Sequence, residues 1–363
     1  MIRDSIVIFE DDPSYANELK TKLIEHISDG SVDVLVFPVS TEKEQNPNVR
    51  FESRIQEDLS SKNAGNLVLI VCDRDLSGTE NYRGLSEAAV SKAADALAVP
   101  VCLYARGMTG SVEERAQEWR DRQIIMDFRI GTQRLSITII SIFEGFRILR
   151  KKSKDYFKKK PEHQTPARVL AFSLSRPEIA DRLALYGAGD IANLATVFNA
   201  KTYKALVQTR SMSRFLGLWL WCSVMRFPGI LINKTAAASY LDLEEMSFEN
   251  EIVQKEIKVA IYEGPFKETG PYWWRDRIDL MVNGKGFSSG YDMFKKLHPK
   301  VRLNEAKCHN DRKSPAGYYC MYYEKPVSER NSKGNLSWFP SGADLARLTT
   351  EIYDEIAPWI GLY

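Results

Sequence analysis

Residues 1–155 predict an α/β fold, a five-stranded parallel doubly wound sheet, and residues 156–363 predict a larger α+β domain. Three observations carry this. Short apolar runs alternate with helix-length amphipathic segments throughout the first part. The first and third of those runs both end in clustered carboxylates. A basic, proline-containing stretch at 150–166 then separates that pattern from one with different spacing.

The first run, SIVIFE (5–10), is followed by Pro13, which suits the first turn of a helix over about 14–28. A second β-rich run covers Val32 to Val39, and the polar segment 41–65 suits an exposed, partly helical insertion. The third strand covers Leu67 to Cys72 and stops at Asp73. An alanine-rich helix (84–98), a strand beginning at Pro100, a charged helix (111–121), the strand-like IIMDF (124–128) and a long amphipathic helix from about 132 to 152 complete the domain. The stretch Arg150 to Pro166 packs seven Lys and Arg together with few large apolar residues and reads as a linker. Its rival reading is a patch for nucleic acid or an acidic partner.

A chain of 363 residues with 44% hydrophobic content can build two cores. Fifty basic residues against 48 acidic ones leave a net charge of +2, so the global charge names no nucleic-acid or membrane partner. The five cysteines, Cys72, Cys102, Cys222, Cys308 and Cys320, are an odd number, and two of them lie in apolar strand-like runs where a reduced buried thiol is expected. With no export signal at the N-terminus, the expected location is the cytoplasm. The apolar stretch Phe215–Met225 is bounded by Arg214 and Arg226 and is too short to span a bilayer, so a buried core helix is expected and no membrane partner.

In a doubly wound sheet, ligands bind beyond the carboxyl ends of the strands. Strand one ends in Glu10, Asp11 and Asp12, and strand three in Asp73, Arg74 and Asp75. Carboxylates brought this close repel unless a cation lies between them, and hard oxygen donors suit Mg²⁺. The expectation is a Mg²⁺ site, with Asp73 placed to act as a nucleophile toward phosphorus.

The segments IVIFEDDPS and VLIVCDRDLSG resemble the first and third strands of response-regulator receiver domains, and PVCLYAR resembles the fourth. Carried over by position, the resemblance implies that Glu10 and Asp11 are the acidic pair and Asp73 the phosphorylated aspartate. Asp75 would then complete the metal shell through its backbone carbonyl. The family's conserved hydroxyl falls on Ala105, and its Lys-Pro pair after the fifth strand is missing, which leaves Arg129 as the nearest cation. Both lost groups contact the phosphoryl oxygens in the family, so the usual phosphorylation switch is altered here. The implied function is a two-component signalling switch controlling an uncharacterised effector domain, of a kind that resembles components of bacterial conflict and antiviral defence systems. A histidine kinase or other signalling protein is the implied partner, and a homodimer the implied assembly. A pseudo-receiver scaffold serving only dimerisation is the alternative.

In the second half, Asp279 in RIDLMV followed by Glu305 and Lys307 in RLNEAK matches the skeleton of a PD-(D/E)xK nuclease. In that reading Asp279 lies on a strand, Asp279 and Glu305 hold a divalent metal, and Lys307 orients the attacking water. A zinc alternative uses His298, Cys308, His309 and Cys320. The aromatics Tyr272, Trp273 and Trp274 beside Arg275 and Arg277 suit a core or an interface better than base stacking. No winged-helix or helix-turn-helix pattern is present, which disfavours a DNA-binding regulator.

Overall fold

The computed structural model describes residues 3–27, 30–38, 51–61, 64–76, 85–105, 112, 115, 119, 123–127, 131–159, 165–187 and 210–360. Two compact units emerge, one from 1–109, 123–175 and 197–218, the other from 110–122, 176–196 and 219–363. The chain therefore does not divide at a single point near residue 155.

The first unit is built on five parallel strands: β1 (Asp4–Phe9), β2 (Val32–Val36), β3 (Asn66–Asp73), β4 (Val101–Ala105) and β5 (Ile124–Asp127), in the order β2-β1-β3-β4-β5. Ile6 to Phe9 and Leu67 to Asp73 are buried without a break. That is the pattern of strands covered on both faces, where apolar runs are continuous rather than alternating. Helix α1 (Pro13–His26) begins with Asp12 as its cap, which accepts the N–H groups of Ser14 and Tyr15. Helices α2 (Phe51–Leu59) and α3 (Glu87–Leu97) contribute Ile55, Leu59, Val90, Ala93 and Ala94 to a core with Val7, Phe9, Ile70 and Cys72. Helix α4 (Thr132–Lys159) packs with α1.

Helix α4 continues to Lys159, beyond the expected end near 152, so residues read as linker are helical. The reason is packing: Ser153, Tyr156 and Phe157 are buried at helical spacing and extend the apolar stripe of Phe146 and Leu149. The segment 111–121 lies largely outside the described residues. Helix α5 (Pro166–Ser173) follows α4 and packs on it.

The apolar segment at 215–225 is buried, as expected, but only its first part is α-helical, within Arg210–Trp219, before a π-helical turn over Leu220–Met225. Among the described residues no helix is long and apolar enough to cross a membrane. A Cβ at Gly217 would fall 2.1 Å from Cε1 of the buried Phe146 ring. Gly217→Ala should therefore cost about 1–3 kcal/mol in urea unfolding through overpacking, outweighing the gain in helix propensity of about 1 kcal/mol.

The second unit holds a mixed sheet of β8 (Tyr318–Cys320), β9 (Lys325–Val327), β10 (Ser332–Gly334) and β11 (Ala346–Thr349), ordered β10-β11-β8-β9. An antiparallel pair, β6 (Leu231–Asn233) and β7 (Tyr272–Trp274), lies among its helices. Trp273 and Trp274 are buried, and the Arg176 guanidinium sits 4.7 Å over the Trp274 ring, so this cluster anchors a core. All five cysteines are buried and none is in a disulfide.

Candidate functional site

Strand order determines where the site forms. The chain leaves β1 for β2 on one side and returns to β3 on the other, so a crevice opens beyond the carboxyl ends of β1 and β3. Glu10 directly follows β1, Asp73 is the last residue of β3, and Asp11 begins the turn into α1. One carboxylate oxygen from each of Glu10, Asp11 and Asp73 lies within 4.8 Å of the others. Glu10 is 8% and Asp73 5% exposed, so these are largely desolvated acids rather than a solvated rim.

Each of the two buried carboxylates is held in place. Glu10 Oε1 accepts the Asp12 N–H at 3.0 Å, and Glu10 Oε2 accepts the Tyr104 hydroxyl at 2.5 Å. Asp73 Oδ1 accepts the Asp75 N–H at 3.2 Å. The Arg74 side chain pairs instead with Glu87, Nε to Oε2 at 3.4 Å.

Burial raises the proton affinity of Glu10. The Tyr104 and Asp12 hydrogen bonds oppose that shift, and the charge of Asp73 and contact with Asp11 add to it. The Tyr104 phenol is pushed far above its ordinary range by burial and by Glu10, so it stays protonated and donates. The Cys72 thiol is also pushed up by burial and by Glu87, Asp73 and Glu10, which keeps it a neutral packing group.

Tyr104 is the site residue that sequence reasoning misses. By position the family hydroxyl falls on Ala105, whose backbone ends β4 and whose side chain lies outside the described residues. The parallel register pairs Tyr104 with Asp73, and this places a phenol next to the carboxylates. The signal lies in the order of strands three and four, since neighbouring parallel strands end on the same edge. Arg129 lies outside the described residues. Asp75 is exposed and meets Asp73 through its backbone N–H.

The donor set fits a hard divalent cation. Three carboxylates offer oxygen ligands, two are buried, and burial first, then the charge of Asp73, raises Glu10. Two of the roughly four lone-pair positions on the Glu10 carboxylate are used by Asp12 and Tyr104, which leaves positions for a ligand.

The nuclease skeleton does not take the expected form. Asp279 lies on the helix Arg275–Gly284 rather than on a strand, and it engages the Tyr240 hydroxyl and Arg275. Ile278 and Val282, four residues apart, are buried while Leu280 is 72% exposed, which is the spacing of a helix. Glu305 and Lys307 pair with each other at 2.6 Å, on isolated β-bridges to Leu243 and Pro315. The zinc set does not assemble either: among the described residues the acidic trio is the only group of three or more such ligands. Cys308 and Cys320 pack with Val327 in a small core, His309 packs against Tyr323, and His298 lies near Phe294 and Glu256.

Comparison of the chain with protein-family models, with curated proteins and with solved structures finds no match in any of the three.

Proposed function

We propose that this protein is a signalling switch whose first unit is a divergent receiver domain, binding Mg²⁺ at Glu10, Asp11 and Asp73 and accepting a phosphoryl group on Asp73 to control the second unit. The observation that carries the reading is the convergence of three carboxylates within 4.8 Å where β1 and β3 end.

In this reading Glu10, Asp11 and Asp73 would hold the ion, with the Asp75 carbonyl completing its shell. Bound there, Mg²⁺ supplies charge neutralisation for the carboxylates and for an incoming phosphoryl group. The remaining work falls to the chain. Tyr104 and the Asp12 N–H fix the Glu10 carboxylate, and the Asp75 N–H fixes one Asp73 oxygen. An Asp73 oxygen forms a bond to phosphorus as the bond from phosphorus to the donor atom breaks, an oxygen in acetyl phosphate and an imidazole nitrogen in a phosphohistidine. The leaving group departs with the electron pair; with acetyl phosphate as donor it is acetate. Asp73 attacks as the carboxylate, so no proton is moved. A histidine kinase or another phosphodonor protein would be the physiological partner.

Acetyl phosphate with Mg²⁺ should add one phosphoryl group to the intact protein by mass spectrometry. Beryllofluoride with Mg²⁺, a mimic of that group, should raise the melting temperature by several degrees, since a ligand at a hundred times its dissociation constant stabilises by about 2.7 kcal/mol. Asp73→Asn should remove both responses. Wild-type protein that gains no mass and shows no shift would sink the phosphoacceptor role.

A further inference from the structure

Helix α4 carries a second charged feature at the other end of the first unit. Arg150, Lys151, Lys154 and Lys158 are spaced by one, three and four residues, so at 3.6 residues per turn they share one arc of the helix with Arg147. Between Arg150 and Lys158 the arc extends roughly 12 Å along the axis, at 1.5 Å per residue. The opposite side of the same turns buries Phe146, Leu149, Tyr156 and Phe157, which fixes the basic side outward.

Arg147, Arg150, Lys151 and Lys154 of this arc line a groove of about 520 Å³, together with Asp4 and Asn66 at the amino ends of β1 and β3. The groove's acids are already engaged. Arg147 binds Asp4 at 2.9 Å and Glu144 at 2.8 Å, and the Asn66 amide donates to Asp4. Arg150, Lys151, Lys154 and Lys158 form no ion pair among the described residues. Partial burial, then the neighbouring charges of Arg150 and Lys158, hold the Lys154 ammonium below its ordinary value.

A solvated helix face ordinarily mixes signs. Here four cations, Arg150, Lys151, Lys154 and Lys158, share the arc, and Asp155 is the single acid within Arg150–Lys159, in a chain whose net charge is only +2. Uncompensated cations strung along an axis fit a linear polyanion. Tyr156 and Phe157 are buried, so the arc offers no platform on which a base could stack. Ile148 is the one apolar side chain in the groove lining, too little for a helix lying on a membrane, and the helix's broad apolar side is inside the unit.

We propose that this face of α4 binds the phosphate backbone of a nucleic acid without reading its sequence. The site lies at the amino ends of the parallel strands, whereas the carboxylates lie at their carboxyl ends, so it is independent of the Mg²⁺ reading.

Fluorescence anisotropy of the full chain with labelled random-sequence duplex DNA, and with single-stranded RNA, tests this. Four phosphate contacts should give a slope of about −3.6 in log affinity against log salt for the duplex, at −0.9 per contact. Arg150→Ser/Lys151→Ser/Lys154→Ser should weaken binding at least tenfold at low salt and reduce the slope by about 2.7, with the melting temperature unchanged. If that variant does not fold, Lys151→Glu alone provides the affinity comparison. Absence of binding to either nucleic acid, unchanged affinity in the variants, or preferential binding to phosphatidylserine vesicles or polyglutamate would overturn the proposal.

Discussion

Phe9→Ala should lower the stability of the first unit by about 3–5 kcal/mol, the cost of removing a buried aromatic side chain and leaving a cavity. Phe9 is 1% exposed, stacks on Phe37 with ring centroids 4.3 Å apart, and belongs to the core shared by the sheet, α2 and α3. For a domain of 150–250 residues each kcal/mol moves the melting temperature by roughly 2–4 °C, so a drop of about 6–20 °C is expected. The effect should reach the site as well. Phe9 is the last residue of β1 and Glu10 follows it directly, so loosening the strand end loosens one carboxylate of the three. Thermal unfolding with and without Mg²⁺ measures both effects. A loss below about 1 kcal/mol would show that the site can collapse around the missing ring, and that Phe9 does not hold the strand end.

The parallel sheet was legible because its strands are buried on both faces. SIVIF and LVLIVC read as continuous apolar runs, a signal that needs no choice of period, and the acids just beyond them mark the edge where the strands end. Residues whose role depends on a neighbour distant in sequence were not legible. Tyr104 meets Glu10 across 94 residues, through a register that sequence order alone does not give. RIDLMV failed for a different reason. A short apolar run fits a strand or one buried side of a helix equally well, and packing of Ile278 and Val282 decided for the helix. At 150–159 composition outweighed periodicity. The lysines and arginines suggested a linker, whereas Ser153, Tyr156 and Phe157 kept the buried stripe of α4 running beneath them.

Removing two of the three carboxylates should reverse the stability order of wild type and variant when Mg²⁺ is added. In EDTA, Asp11→Asn/Asp73→Asn should be at least as stable as wild type, because Asp73→Asn removes a like charge beside Glu10 and both changes keep nearly constant volume. The amide that replaces the Asp73 carboxylate also retains an oxygen to accept the Asp75 N–H. With Mg²⁺ at a hundred times its dissociation constant, wild type should gain about 2.7 kcal/mol and the variant nothing. The pH dependence has a definite sign. Burial raises Glu10 in the folded protein, so between its unfolded pKa and that higher folded value the native state binds more protons than the unfolded state. Stability contributed by Glu10 is therefore full below about pH 4.3, its unfolded value, and is lost as pH rises through the folded value. Mg²⁺ needs the ionised carboxylates, so its stabilisation grows over the same interval and opposes the loss. Melting curves of both proteins between about pH 4 and 8, in EDTA and in Mg²⁺, separate the two contributions. If wild type at neutral pH melts at the same temperature in both solutions, the carboxylates are held together by the fold alone, and the cation has no part in it.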